Sequence, residues 1–96
     1  MKGLPNALLS IKALKFLDVS NNKIGTTGNG FLSEGIAEAD SLVEFRASGN
    51  MISHLPESIG DLKQLEVLDL RDNRISQLPE RFGLLTKLLK LNLDGN

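Results

Sequence analysis

LEVLDLRDNRI, residues 65–75, sets Val67, Leu68 and Leu70, which suit an extended, half-buried backbone, directly before Asp72-Asn73, a pair that favours a turn. Taken alone it is one short strand that stops at an asparagine and then returns to an apolar residue, Ile75. The rest of the chain repeats it. LKFLDVSNNKI runs from Leu14 to Ile24, LVEFRASGNMI from Leu42 to Ile52, and LLKLNLDGN from Leu88 to Asn96. Aligned on Asn22, Asn50, Asn73 and Asn96, the four copies are offset by 28, 23 and 23 residues. Self-similarity at such a period marks an array of stacked units, none of which buries its apolar face alone.

The segments between copies repeat as well. Leu4-Pro5, Leu55-Pro56 and Leu78-Pro79 each stand ten residues before the leucine that opens a copy. Apolar residues follow each pair at plus four and plus seven: Leu8 and Ile11, Ile59 and Leu62, Phe82 and Leu85. The LxxLxLxxNxL pattern, with these spacers, resembles the leucine-rich-repeat family over nearly the whole chain. That resemblance implies an α/β solenoid: a horseshoe segment with a parallel, concave β-sheet and helical connections on the convex side. The long interval, KIGTTGNGFLSEGIAEADSL, resembles the 28-residue repeat of the ribonuclease-inhibitor type, whose connection is a full α-helix. Leu32, Ile36 and Ala39 fall at helical spacing there, while Glu34, Glu38 and Asp40 face water. The 23-residue copies, opened by Pro-Glu, suit a single helical turn with proline at its first position.

Positions 1, 4 and 6 of each copy are apolar, and stacked strands would gather them into one core. Each such burial contributes roughly 1.5–3 kcal/mol. The asparagine meets a different need. Its amide carries donors and acceptors, so it can serve backbone groups of its own turn and of the next repeat's turn. The expected domain is residues 1–96, with strand-bearing copies at about 14–24, 42–52, 65–75 and 88–96. Leu88, Leu91 and Leu93 have no polar capping segment over them, so a piece of a longer array is expected, with self-association through open ends as the alternative.

Alternation along a strand places positions 3, 5 and 7 on the concave face. Position 3 reads Phe16, Glu44, Val67, Lys90; position 5 reads Asp18, Arg46, Asp69, Asn92; position 7 reads Ser20, Ser48, Arg71, Asp94. Candidate partner contacts are Phe16, Asp18, Glu44, Arg46, Val67, Asp69, Arg71, Lys90, Asn92 and Asp94, led by the apolar Phe16 and Val67 and the donor forks of Arg46 and Arg71. The competing reading is a structural ladder in which Asp18, Arg46 and Asp69, and likewise Arg71 and Asp94, satisfy one another.

Other functions are disfavoured. The net charge of -1 offers nothing to a polyanion, so no nucleic acid is expected. The chain has no cysteine and a single histidine, His54, which excludes thiol chemistry and a spaced His/Cys metal site. Gly25 and Gly30 flank four residues as in a phosphate loop, but Phe31 and Leu32 stand where its lysine and hydroxyl belong. No serine has a nucleophile-elbow context. No catalytic residue, cofactor or membrane span is expected. The reading is a soluble, cytoplasmic module that binds a protein partner. The resemblance of the 23-residue copies to intracellular repeat proteins implies a scaffold or signalling regulator; the alternatives are a self-associating spacer, or the recognition part of a longer enzyme or receptor.

Overall fold

The structure, a computed structural model, describes residues 11, 13–25, 32 and 34–96. Four three-residue strands, β1 (Phe16–Asp18), β2 (Glu44–Arg46), β3 (Val67–Asp69) and β4 (Lys90–Asn92), form one parallel sheet in chain order. Their register pairs Leu17 with Phe45, Phe45 with Leu68, and Leu68 with Leu91, so position 4 of every copy lies in one row. Beyond the strands the chains stay hydrogen-bonded: Val19 donates to Arg46 O and Asn21 to Ser48 O, both at 2.8 Å, and the next pairs of repeats continue this pattern.

The core lies where the sequence pattern puts it. Leu17, Val19, Leu42, Phe45, Ala47, Leu65, Leu68 and Leu70 are buried, as are Leu32, Ile36, Ala39, Ile59 and Leu62 from the connecting segments. The second copy sets its large Phe45 beside the small Ala47 where the third uses Leu68 and Leu70, so the ring partly offsets the methyl. Ile11, the apolar plus-seven residue of the first spacer, is 48% exposed. Leu4, Pro5 and Leu8, and Gly28, Gly30 and Phe31 of the glycine-rich stretch, lie outside the described residues.

Among the described residues each connection carries a 3₁₀ turn and no α-helix: η1 (Glu34–Glu38), η2 (Glu57–Asp61) and η3 (Glu80–Leu84), five residues each. This corrects the expected α-helix of the long repeat. The physical reason is a period of three. Ile36, Ala39 and Leu42 are joined by i to i+3 bonds at 3.0 and 3.1 Å, as are Ile59, Leu62 and Leu65, and Phe82, Leu85 and Leu88. With three residues per turn these side chains eclipse on one face, and the chain runs directly into the next strand. Pro56 and Pro79 stand one place earlier than expected, as the residues before η2 and η3, with φ of -70° and -66°. There the ring fixes the entry of the chain and no side chain caps the turn.

The asparagines knit the turns together. In Asn73 the amide nitrogen donates to Leu70 O (3.1 Å) and Arg71 O (3.1 Å) of its own repeat and to Ala47 O (2.8 Å) of the preceding one. Its oxygen accepts from the backbone N–H of Ile52 at 3.1 Å. Asn50 does the same with Ala47 O, Ser48 O, Val19 O and Ile24 N–H, and Asn96 with Leu93 O, Asp94 O, Leu70 O and Ile75 N–H. The link therefore runs to the preceding repeat, not to the next one as expected. Asn22, half-buried, donates to Val19 O and Ser20 O of its own turn.

Position 8 of each copy adds a constraint. Asn21, Gly49, Asp72 and Gly95 all have positive φ, from 54° to 75°. Glycine takes this conformation freely, and asparagine and aspartate take it more readily than other residues. A Cβ on Gly49 would meet the side-chain oxygen of Asn21, and one on Gly95 would meet that of Asp72.

These contacts set the expected cost of two substitutions. Asn73→Ala leaves Ile52 N–H buried without its acceptor and should cost about 2–4 kcal/mol in urea unfolding. Gly49→Ala should cost about 1–2 kcal/mol from backbone strain alone. Adding Asn21→Gly should recover only the steric part, which a double-mutant cycle measures.

Candidate functional site

The pairing that aligns the core also aligns the concave face. Phe16, Glu44, Val67 and Lys90 form one row across the sheet, and Asp18, Arg46, Asp69 and Asn92 the next. Phe16 is 64% exposed, an unusual state for an aromatic side chain, and Val67 is half-buried. Asp69, although on this face, is buried to 5%.

Asp69 is buried because two arginines close over it. Arg71 folds back along its own strand and donates through Nε and a terminal nitrogen to the two carboxylate oxygens, both at 3.0 Å. Arg46 reaches across from β2 to 3.5 Å and pairs on its other side with Glu44 at 3.3 Å. The expected ladder thus forms between Arg46 and Asp69, while Arg71 turns to Asp69 instead of across to Asp94. Burial pushes the Asp69 carboxyl up, but the Arg71 hydrogen bonds and the charges of both arginines outweigh it and hold the group below the usual carboxylate range. Hydrogen bonds from Ser20 and the Arg46 charge lower Asp18 in the same direction. The Asp69 hydrogen bonds and charge raise Arg71 further.

Position 5 also serves the backbone. The N–H of position 7 lies just past the strand, and the side chain two residues earlier accepts from it: Ser20 N–H donates to Asp18, Arg71 N–H to Asp69 and Asp94 N–H to Asn92, at 2.9, 3.2 and 3.0 Å. Arginine cannot accept a hydrogen bond, so beside Arg46 the Ser20 hydroxyl takes over and accepts from Ser48 N–H at 3.2 Å. Asp18, Asp69 and Asn92 consequently hold turns. Phe16, Glu44, Arg46, Val67, Arg71, Lys90 and Asp94 accept no such backbone bond and make up the rest of the concave face. The role of Ser20 was legible only as the one hydroxyl beside the one copy lacking Asp or Asn at position 5.

Two hollows flank the Arg46–Glu44 pair. One, about 290 Å³, is lined by Phe16, Asp18, Glu44 and Arg46. The other, about 590 Å³, lies against Val67, Arg71, Lys90, Asn92 and Asp94. Both are open, the larger one is mostly polar and the smaller one mixed, unlike the enclosed apolar cavities that take small molecules. Away from this face, the exposed His54 contacts the Ser53 hydroxyl at 2.8 Å. Among the described residues no group of three His, Cys, Asp or Glu side chains could hold a metal ion, and no helix is long and apolar enough to cross a membrane.

The family model described as "leucine-rich repeat region" matches residues 6–96. The chain is a leucine-rich-repeat protein. Among solved structures, it superposes with a TM-score of 0.90 on a leucine-rich-repeat protein of Leptospira interrogans, at 33% identity. The match covers 99% of this chain and 23% of that one, so the array described here spans about a quarter of its structural relative. No curated protein matches.

The arginine clamp makes stability depend on acid. Asp69 and Asp18 titrate at lower pH folded than unfolded, so their contribution is complete above the unfolded value of about 4 and is lost as pH falls through the folded values. Asp69→Asn should lower Tm at pH 7 and flatten the fall of Tm between about pH 5 and roughly pH 2, as thermal melts across that range will show.

Proposed function

We propose that this leucine-rich-repeat array is a protein-recognition module whose concave face meets a protein partner. The observation that carries the reading is the division of labour on that face. Asp18, Asp69 and Asn92 satisfy backbone N–H groups, whereas the exposed Phe16 has no such duty, lines a hollow with Arg46, and shares the face with the exposed fork of Arg71. Aromatic and arginine side chains dominate the energetics of protein interfaces. A sheet whose turns are already hydrogen-bonded binds with little ordering cost, so contacts made there convert efficiently into affinity.

Within the same proposal, the module acts inside the cell as part of a scaffold or signalling regulator, and it contributes recognition to a longer protein. The 23% coverage of its structural relative supports the latter point. A second reading is self-association through the β4 edge. In that reading parallel strand edges pair between copies of the array.

The deciding comparison is capture of partners from a cell extract by the immobilised wild-type array and by the variant Phe16→Ala/Arg46→Ala/Val67→Ala/Arg71→Ala, whose fold is verified by circular dichroism. At least tenfold weaker capture by the variant is expected. Equal capture removes the concave face from consideration, and a molecular mass that rises with concentration in both proteins supports the edge reading.

A further inference from the structure

We propose that the partner element received by the concave face is an amphipathic α-helix laid across the four strands. This inference rests on the reading of the concave face above and specifies what occupies it. The observation behind it is an alternation along the first concave row: apolar Phe16, acidic Glu44, apolar Val67, basic Lys90, set side by side by the strand register.

Neighbouring strands are about 4.8 Å apart, so these four side chains are spread over roughly 14 Å, with Phe16 and Val67 about 10 Å from each other. An α-helix rises about 1.5 Å per residue, and residues i, i+3, i+7 and i+10 share a face over about 15 Å. A helix running from β1 toward β4 would therefore meet the row in step. It would bring an apolar residue to Phe16, a basic one to Glu44, an apolar one to Val67 and an acidic one to Lys90. The mirrored order fits a helix running the other way. Glu44 and Lys90 both retain exposed surface, so each can take a partner charge without giving up the contacts described.

Backbone chemistry separates a helix from an extended segment. The inner strands β2 and β3 are paired on both sides, so the face of the sheet offers no free N–H or C=O to a peptide lying on it. An extended peptide would cover its own backbone groups without satisfying them, and such peptides pair at sheet edges instead. A helix satisfies its backbone internally. Rows 5 and 7, carrying Arg46, Arg71 and Asp94, then border the helix.

The test titrates the full chain into fluorescein-labelled synthetic 18-residue peptides. The first is a helix former with Leu, Lys, Leu and Glu at i, i+3, i+7 and i+10, made in both sequence directions. The second has the same composition with two central prolines, and the third is a scrambled helix. Expected results are binding of the first peptide in one direction, at least tenfold weaker binding of the other two, and at least tenfold loss with Val67→Asp. Changing the peptide Lys to Glu should weaken binding, and Glu44→Lys in the chain should restore it. Equal binding of the proline peptide points to an extended partner, and equal binding of the scramble to non-specific contact; either overturns the inference, as does no binding of any peptide. A dimer in sedimentation that Val67→Asp abolishes assigns the face to a second copy and overturns it too. If a partner captured through Phe16, Arg46, Val67 and Arg71 is not competed by the helical peptide, the helix is wrong while the concave reading stands.

Discussion

The structure depends on what happens to backbone groups where each strand ends and the chain turns under the sheet. At that point carbonyls and N–H groups leave the ladder while still shielded from water, and any left unpaired would undo much of the gain from burying a leucine. Asn50 and Asn73, each only 7% exposed, close this gap by bonding two repeats at once. The position-6 carbonyls show how completely. Ala47 O accepts from both Asn50 and Asn73, and Leu70 O from both Asn73 and Asn96. Both lone pairs of each oxygen are used. Each of these repeats is thereby tied to the one before it by the same amide that closes its own turn, so local turn formation and stacking are one event.

The concave face follows the same logic. Hydrogen bonds unmet by the sheet are met by position 5 where that residue is Asp or Asn, and by a neighbouring hydroxyl where it is arginine. Arg46 is thus free to bridge Glu44 and Asp69, and Arg71 closes the other side of Asp69. Of the acidic groups on the strand pattern, Asp18 and Asp69 hold turns, while Glu44 and Asp94 stay on the surface. The part of the face without such duties is narrower and more apolar than the full set of outward positions.

Much of this was legible in the sequence because the repeat removes ambiguity. A single LEVLDLRDNRI does not fix a register; four copies aligned on their asparagines fix every strand, and the observed rows are those the alignment gives. The turns were less legible. Leu32, Ile36 and Ala39 have helical spacing, yet Ile36, Ala39 and Leu42 carry the period of three found in every connection, and that period governs the backbone. The direction of the asparagine bonds was hidden because a side chain that can serve either neighbour leaves no trace of its choice in the letters. Burial of Asp69 depends on how two flexible arginines fold, which no spacing records. Position 8 could have been read: Asn, Gly, Asp and Gly in one column are the residues that tolerate positive φ.

That column has a consequence for how such an array can vary. Asn21 lies over Gly49 and Asp72 over Gly95, so a residue with a side chain and a residue without one alternate along the stack. The side chain at this position in one turn thus occupies the space that a Cβ would need in the next, so the residue one repeat carries there limits what its neighbour can carry.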